Sequence, residues 1–221
     1  MKHILIIPAS GSGIRFGSKI PKQFLKIDGK EIIAHTIERF HSLKIIDEIY
    51  IAAQADNFDK LKRIISKNNF KKVKSIVEGG ETRQASVFNA LNIIECEKND
   101  IVMVHDAVRP FLSKKLITNL IEECRKSGGV IPGIKISDTV KRTDEKQFIQ
   151  KTLSRENLWT VQTPQVFRCD IIKNSFAKAV SKNFVGTDEA AVVEFAGYPV
   201  KIIPGEKTNI KITVKDDMKF V

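Results

Sequence analysis

The chain has 221 residues, long enough to bury a complete hydrophobic core, and a formal net charge of +11. A surplus of this size attracts nucleic acid, anionic membrane surfaces and small polyphosphate substrates alike, so charge alone does not choose among these partners. Cys96, Cys124 and Cys169 are far apart and form no C-x-x-C pair, so we expect reduced thiols in a cytoplasmic protein, with neither a disulfide framework nor a zinc site.

The first predicted element is a buried strand at residues 3–8. This apolar run is too short to span a membrane, and it lacks the cleavage pattern of a signal peptide. Strand-length apolar runs then alternate with segments of helical period. Strands are predicted at 48–53, 73–77, 101–104 and 130–134, and helices at 31–42, 57–68, 83–95 and 114–127. This alternation indicates a doubly wound α/β fold with a mostly parallel sheet and helices on both faces.

Residues 136–157 interrupt this alternation. Two stretches of alternating polarity, 138–142 and 148–153, flank a turn-like segment and predict a protruding β-hairpin arm. Since an isolated hairpin is only marginally stable, we expect the arm to pack on a second copy of the chain and form a homodimer. Helices at 170–181 and 188–195, a strand at 200–203 and a last helix from Lys215 complete one domain, 1–221.

The loop after the first strand, Pro8–Gly17, is rich in small residues and lies where ligands bind in open α/β sheets. Glycine lets backbone N–H groups approach phosphate oxygens closely. The loop has neither the Gly-Lys-Ser/Thr ending of a P-loop nor the spacing G-x-G-x-x-G, which disfavours kinases and dinucleotide-binding enzymes. Arg15 and Lys22 flank it, and two cations beside backbone donors suit a triphosphate. An ordinary tight turn with a solvated lysine is the alternative.

Two further segments carry candidate chemistry. Gly79 and Gly80 precede a helix whose first turn contains Arg83, so backbone groups there either contact a base or phosphate or form only a turn. Asp106 follows the fourth strand, and a carboxylate together with phosphate oxygens suits Mg²⁺, which makes Asp106 the candidate metal ligand. His105 is either a catalytic base or, as we favour, a hydrogen-bonded structural group.

The order and spacing of these segments resemble the 2-C-methyl-D-erythritol 4-phosphate cytidylyltransferase family. The resemblance covers nearly the whole chain and rests on residues 8–17 with Pro21-Lys22-Gln23, 79–83 with Ser86, 104–110, 138–141, 155–159, 163–165, 187–189 and 209–211. It implies a Rossmann-like nucleotidyltransferase fold, CTP and a sugar-alcohol phosphate as substrates, and Mg²⁺ or another divalent cation as cofactor. It implies no nucleic-acid or membrane partner.

The resemblance also implies roles for individual residues. Catalysis is expected from Arg15, Lys22 and Lys211. The nucleotide is expected to contact Ala9, Ser10, Gly11, Gly80, Glu81, Arg83, Ser86 and Ala107. The acceptor is expected to contact Asp106, Arg109, Thr139, Arg155, Thr163, Thr187 and Lys211, with Thr139, Arg155 and Arg109 supplied from the partner subunit's side.

The chain departs from the family pattern in its first loop. The family often has Ala-Ala-Gly, with an arginine before the position of Arg15, whereas this chain has Ser10 and Ile14. Ser10 either supplies a hydroxyl to the phosphates or is a small residue that a tight loop tolerates.

Three alternative functions stay open at this point. D-Ribitol 5-phosphate cytidylyltransferase would use the same donor site with another acceptor pocket. A basic nucleic-acid-binding module would suit the charge, but one Trp and two Tyr provide little stacking surface. A non-catalytic relative is disfavoured because Arg15, Lys22, Asp106 and Lys211 occur together.

Overall fold

The computed structural model describes residues 1–11, 20–214 and 216–217. Arg15 lies outside these residues, as does the predicted last helix except for Asp216 and Asp217. The described strands are β1 His3–Pro8, β2 Lys26–Ile27, β3 Lys30–Glu31, β4 Glu48–Ala53, β5 Val73–Glu78, β6 Ile101–Val104, β7 Gly129–Lys135, β8 Val140–Thr143, β9 Ile149–Leu153, β10 Trp159–Val161, β11 Gln165–Arg168 and β12 Lys201–Pro204. The described helices are α1 Ile32–His41, α2 Phe58–Lys67, α3 Arg83–Ile93, α4 Lys114–Ser127, α5 Cys169–Ser181 and α6 Glu189–Phe195.

One eight-stranded sheet organises the chain. Strands β6, β1, β4 and β5 are parallel neighbours, and β12 pairs in parallel with β7. Alternate residues of β1 belong to two cores: Leu5 and Ile7 pack toward α1, α2 and α4, whereas Ile4 and Ile6 pack toward α3, α5 and α6. Because helices cover both faces of the sheet, these aliphatic side chains are removed from water. Burying each of them stabilises the fold by about 1.5–3 kcal/mol. The predicted doubly wound α/β fold with a mostly parallel sheet is confirmed.

Two strands of the sheet were not predicted from the sequence. Strand β11 lies between β6 and β7 and is antiparallel to both, and β10 continues along the same side of β7. The cis peptide bond between Thr163 and Pro164 lies in the connection between β10 and β11. Short runs of three and four residues beside a proline contain too little periodicity to indicate strands. The antiparallel strand nevertheless brings residues 162–165 next to the carboxyl end of β6.

The predicted arm is present as a separate two-stranded sheet. Strands β8 and β9 pair antiparallel from Val140 opposite Leu153 to Thr143 opposite Ile149. Its tip is closed by Asp144, whose carboxylate accepts hydrogen bonds from the backbone N–H groups of Lys146 and Phe148. Phe148 is 69% exposed and Ile149 64%. A hairpin with an apolar, uncovered tip agrees with the expectation that it packs on another chain, and the homodimer stays a prediction.

Two of the three cysteines are paired, which corrects the expectation of reduced thiols. Cys96, after α3, and Cys169, at the start of α5, form a disulfide with Cα atoms 6.4 Å apart. The Cys169 N–H also donates a hydrogen bond to the Asp100 carbonyl. The start of α5 therefore lies beside the segment that joins α3 to β6. The expectation was wrong because the separation of 73 residues along the chain does not reveal proximity in the fold. Cys124 is free and buried.

Within residues 1–11, 20–214 and 216–217, no helix has both the length and the apolar character required to cross a bilayer.

Candidate active site

A cleft of about 400 Å³ lies at the carboxyl ends of β1, β5 and β6. Lys22, Asp106 and Lys211 line it, together with every residue predicted to contact the nucleotide: Ala9, Ser10, Gly11, Gly80, Glu81, Arg83, Ser86 and Ala107. The fold thus brings together segments that are more than 200 residues apart in sequence. The position agrees with the rule that ligands bind outside the carboxyl ends of parallel strands.

The wall at the first loop depends on a buried glutamine that the sequence analysis did not assign a role. Gln23 is 3% exposed, and its side-chain amide donates to the carbonyls of Ala9, at 2.7 Å, and Gly11, at 3.3 Å. It belongs to a single 3₁₀ turn, Lys22–Phe24, that follows Pro21. Gln23 therefore fixes the loop, and the same turn presents Lys22 to the cleft.

The first loop and the loop after β5 are joined through two serine hydroxyls. The Ser86 hydroxyl lies 3.1 Å from the Ser10 hydroxyl and accepts a hydrogen bond from the Gly80 N–H, also at 3.1 Å. Ser10 in turn donates to the Ala52 carbonyl at 3.1 Å. Ser10 therefore uses its hydroxyl within the protein, to link the two loops.

The close approach of Ser10 to the loop after β5 explains why residue 79 is glycine. A β-carbon at position 79 would lie 1.8 Å from Oγ and 2.7 Å from Cβ of Ser10, far inside van der Waals contact. Glycine is required there because the two loops approach each other closely. The double glycine is therefore more than an ordinary turn.

Asp106 is the electrostatic centre of the cleft. Its side chain is 8% exposed, and three cations contact it: Arg83 Nε lies 3.3 Å from Oδ1, while Arg109 Nε and Lys211 Nζ lie 3.1 Å and 3.0 Å from Oδ2. Burial alone would raise the pKa of Asp106, but Arg83, Lys211 and Arg109 outweigh it and hold that pKa well below its usual range. Asp106 is consequently ionised throughout the neutral range and holds three cations at the cleft.

Lys211 reaches Asp106 because the segment after β12 is fastened to the sheet. The Ile212 N–H donates to the Val108 carbonyl at 3.0 Å, and the fully buried Asn209 donates its amide to the Thr163 carbonyl at 2.8 Å. These bonds place Lys211 between two anchored residues, with 41% of its side chain exposed. An exposed ammonium held at this position is available to an anionic substrate.

His105 has a structural role. Its Nε2 lies 3.0 Å from the Arg109 carbonyl and its Nδ1 3.0 Å from the Thr163 hydroxyl, which itself accepts from the Asp106 N–H at 3.1 Å. These partners are satisfied if Nε2 carries the proton and Nδ1 accepts one from Thr163. Burial lowers the pKa of His105 to about 4, so the ring is neutral. His105 does not line the cleft and orients the loop that carries Asp106.

Stability is expected to fall on acidification because of His105. The unfolded chain binds a proton at this residue near pH 6.5, whereas the folded chain resists protonation until about pH 4. Between these two pH values the unfolded chain binds a proton at His105 and the folded chain does not. This difference lowers the free energy of unfolding by about 2 kcal/mol at pH 5 relative to pH 7. Urea unfolding should show that wild type loses about this much more stability between pH 7 and pH 5 than His105→Asn does. Equal losses in the two proteins would contradict the assignment.

The residues predicted to contact the acceptor fall into three groups, and of these residues Asp106 and Lys211 line the cleft. Thr163 and Arg109 are largely buried, with the Thr163 hydroxyl bonded as above and Arg109 donating to Asp106 and to the Asn209 carbonyl. Thr139, Arg155 and Thr187 are exposed. Arg155, on the arm, contacts the Ser137 carbonyl. Exposure of Thr139 and Arg155 is compatible with their reaching the cleft of another copy, which stays a prediction.

The described residues of the cleft could hold a divalent cation only together with ligands from the substrate. Among the described residues, no group of three His, Cys, Asp or Glu side chains is close enough to hold a metal ion. Asp106 Oδ1 contacts Arg83 at 3.3 Å, and a carboxylate oxygen can accept two hydrogen bonds or ligands. Mg²⁺ usually binds one or two carboxylates plus phosphate oxygens and water, and this donor set fits that pattern.

Comparison with known proteins identifies one family. A family model described as 2-C-methyl-D-erythritol 4-phosphate cytidylyltransferase matches residues 3–221. Curated relatives with that name include one from Syntrophus aciditrophicus, 40% identical over 98% of this chain and 93% of its own length, and one from Clostridium tetani, 42% identical over 99% and 88%.

Solved structures agree with the family match. The 2-C-methyl-D-erythritol 4-phosphate cytidylyltransferase of Francisella tularensis is 36% identical with a TM-score of 0.83, and the alignment covers 100% of this chain and 98% of that one. The 4-diphosphocytidyl-2C-methyl-D-erythritol synthase of Anaerococcus prevotii has a TM-score of 0.85 at 32% identity, covering 99% and 93%. The likeness therefore extends over the complete fold and includes the cleft.

Proposed function

Because this chain belongs to the 2-C-methyl-D-erythritol 4-phosphate cytidylyltransferase family, we propose that its cleft transfers the cytidylyl group of CTP to 2-C-methyl-D-erythritol 4-phosphate and releases pyrophosphate. The product is 4-diphosphocytidyl-2-C-methyl-D-erythritol, an isoprenoid precursor of the non-mevalonate pathway. The observation that carries the proposal is the convergence of Lys22, Arg83 and Lys211 with two glycine-containing loops around the buried Asp106. Such a site suits two anionic substrates.

The reaction needs no general base. A phosphate oxygen of the acceptor attacks the α-phosphorus of CTP in line, and pyrophosphate leaves on the opposite side. The second pKa of a phosphate monoester is near 6, so the attacking oxygen is already ionised at neutral pH. The buried, neutral His105 agrees with this mechanism, since it is already bonded within the protein.

The protein's task is to bring two polyanions together and to stabilise charge on the oxygens that bridge to phosphorus and on the leaving group. Lys22 and Lys211 approach the cleft from opposite ends of the chain, and Asp106 fixes Lys211 and Arg83 in place. Arg15 is proposed to join them from the family resemblance. Backbone N–H groups of the two loops are proposed as further donors to the nucleotide, although that of Gly80 itself is bonded to the Ser86 hydroxyl.

Magnesium is proposed as the cofactor. Asp106 would hold the ion through Oδ1, and phosphate oxygens of CTP and water would complete its shell. When bound, Mg²⁺ would neutralise negative charge on those phosphates. Removing free divalent cations with a chelator should therefore abolish turnover.

Dimerisation through the arm is proposed to complete the acceptor site. The arm is a two-stranded sheet separate from the main sheet, with exposed apolar side chains at its tip, Phe148 and Ile149. A second copy would cover this tip and receive Thr139 and Arg155 near its own cleft. The acceptor would then lie between two copies, with Lys211 from one and Arg155 from the other.

Arg155→Ala should raise the KM for the acceptor about 10- to 100-fold, the cost of losing a charged hydrogen bond, and should leave CTP affinity nearly unchanged. Steady-state kinetics measures the first quantity and calorimetry with CTP alone the second. Arg142→Ala, which removes an equally exposed cation from the same arm, is the control and should behave as wild type. An equal loss of CTP affinity in the Arg155 variant would show that Arg155 serves the nucleotide site.

The proposed function is tested by measuring pyrophosphate release from CTP and Mg²⁺ with two acceptors side by side, 2-C-methyl-D-erythritol 4-phosphate and D-ribitol 5-phosphate. A kcat/KM at least tenfold higher with the first supports the proposal. Preference for the second would retain the donor site and mechanism and reassign the acceptor. Absence of turnover with both would overturn the proposed reaction.

A further inference from the structure

The cleft is backed by a buried carboxylate with no role in the mechanism above. Glu189, the first residue of α6, is 1% exposed, and its Oε1 accepts a hydrogen bond from the terminal guanidinium nitrogen Nη1 of Arg83. Its other oxygen, Oε2, is buried and has no hydrogen-bond partner among the described residues. Burying a carboxylate with an unsatisfied oxygen is destabilising, so its presence here requires an explanation beyond stability.

The position of Glu189 is fixed by its neighbours on both sides. Asp188 caps α6 by accepting the Ala191 N–H at 2.9 Å. Gln165, on strand β11, donates to Asp188 at 2.8 Å and accepts the Ala190 N–H at 2.8 Å. The start of α6 is therefore fastened to the central sheet. Glu189 provides a fixed anchor for the flexible side chain that it contacts.

That side chain, Arg83, is shared between two carboxylates. Its Nε lies 3.3 Å from Asp106 Oδ1, while Nη1 contacts Glu189, and 30% of the side chain remains exposed to the cleft. A guanidinium whose two sides are held by different carboxylates has one defined orientation. Without Glu189, the free end of Arg83 could turn toward Asp106 as a bidentate clamp or toward the phosphates of the nucleotide.

Glu189 also sets the charge of the cluster. With both carboxylates ionised, Arg83, Arg109 and Lys211 contribute three positive charges and Asp106 and Glu189 two negative ones, a net charge of +1. Burial raises the pKa of Glu189, and the Arg83 guanidinium opposes that rise by favouring the ionised carboxylate. Neutralising Glu189 would leave +2. The larger surplus would favour binding of a triphosphate without placing Arg83 correctly for the transfer.

We propose that Glu189 is a positioning residue that holds Arg83 in its catalytically competent orientation between Asp106 and the nucleotide. This inference rests on the proposed function, since it requires CTP in the cleft. It predicts that the charge of Glu189 supports kcat more than it supports nucleotide binding. It also predicts that the effect of Glu189 on kcat is exerted only through Arg83.

The test is a double-variant cycle on the full chain. Glu189→Gln should lower kcat about tenfold or more while the calorimetric Kd for CTP, measured without acceptor, stays equal or becomes tighter. Arg83→Gln should lower kcat as well, and the double variant should be no worse than Arg83→Gln alone, because the two residues act in one unit. Glu194→Gln removes the same charge from an exposed position on α6 and should match wild type.

Three outcomes would overturn the proposal: an unchanged kcat in Glu189→Gln, a CTP affinity lowered in proportion to kcat, or losses that multiply in the double variant. If Glu189→Gln does not fold, Glu189→Asp, which keeps the charge but withdraws it by one methylene, is taken through the same cycle. If wild type releases no pyrophosphate, the proposed function fails. Calorimetry with CTP then still tests the coupling between Glu189 and Arg83 by the same cycle.

Discussion

Lys22→Ala should lower kcat by about 10²- to 10³-fold, the usual cost of removing one preorganised charge that meets the transition state. Lys22 lines the cleft from the 3₁₀ turn after Pro21, where a buried neighbour, Gln23, holds the first loop. The hydrogen bonds that fix the first loop come from the Gln23 amide, and those that close the turn come from backbone N–H groups. The variant should therefore fold normally, with a thermal unfolding midpoint within a few degrees of wild type.

Pre-steady-state and steady-state pyrophosphate release at saturating CTP would measure the loss. Lys26→Ala is the matched control, because Lys26 lies four residues further along and is exposed, with a 4.0 Å contact to Glu31. It should retain wild-type turnover. Near-wild-type kcat in Lys22→Ala would remove Lys22 from the mechanism.

Asp106→Asn should reduce both stability and activity. The substitution keeps the shape of the side chain but leaves Arg83, Arg109 and Lys211 without the anion that they surround. Removing one partner from a buried ion pair typically costs about 3–5 kcal/mol. Turnover should fall at least about 100-fold, because Lys211 and Arg83 lose their common anchor and the proposed magnesium ligand is weakened.

The stability difference has a defined dependence on pH. The folded pKa of Asp106 lies below the unfolded value of 3.8, so the ionised carboxylate stabilises the fold at every pH above that value. The difference between wild type and Asp106→Asn should thus be constant from pH 8 to pH 5 and shrink in stronger acid. Urea unfolding across this range measures it, with the exposed Asp56→Asn as control. A variant as stable and as active as wild type would contradict the central position given to Asp106.

The parallel half of the sheet could be predicted because each strand there is covered on two faces. Such strands are continuously apolar, as in Ile4–Ile7 and Ile101–Val104, and the intervening helices have clear periodicity. Strand β11 did not have that signal. It is four residues long and begins with Gln165, whose amide bonds the start of α6. Its position between β6 and β7 is decided by tertiary contacts and not by local preference.

The site was predictable to a similar extent. Glycines and flanking cations in the sequence indicated the two loops, and the end of a predicted strand indicated Asp106. In the structure these residues line one cleft. The buried polar residues Gln23 and Glu189 were not found, because a buried polar side chain cannot be distinguished from a surface one by residue type. The convergence of three cations on Asp106 was equally hidden, since Lys211 arrives from a segment more than 100 residues away.

The contact between Gly79 and Ser10 limits how this chain can change over evolution or in directed mutagenesis. Any side chain at position 79 collides with Ser10 Oγ at 1.8 Å, and Ser10→Ala removes that atom but keeps a β-carbon at 2.7 Å. Glycine at position 10 would remove both contacts and leave Ser86 Oγ, at 3.2 Å, as the nearest atom. A variant that enlarges residue 79 therefore needs a compensating change in the opposite loop, and libraries that vary one loop at a time would miss it.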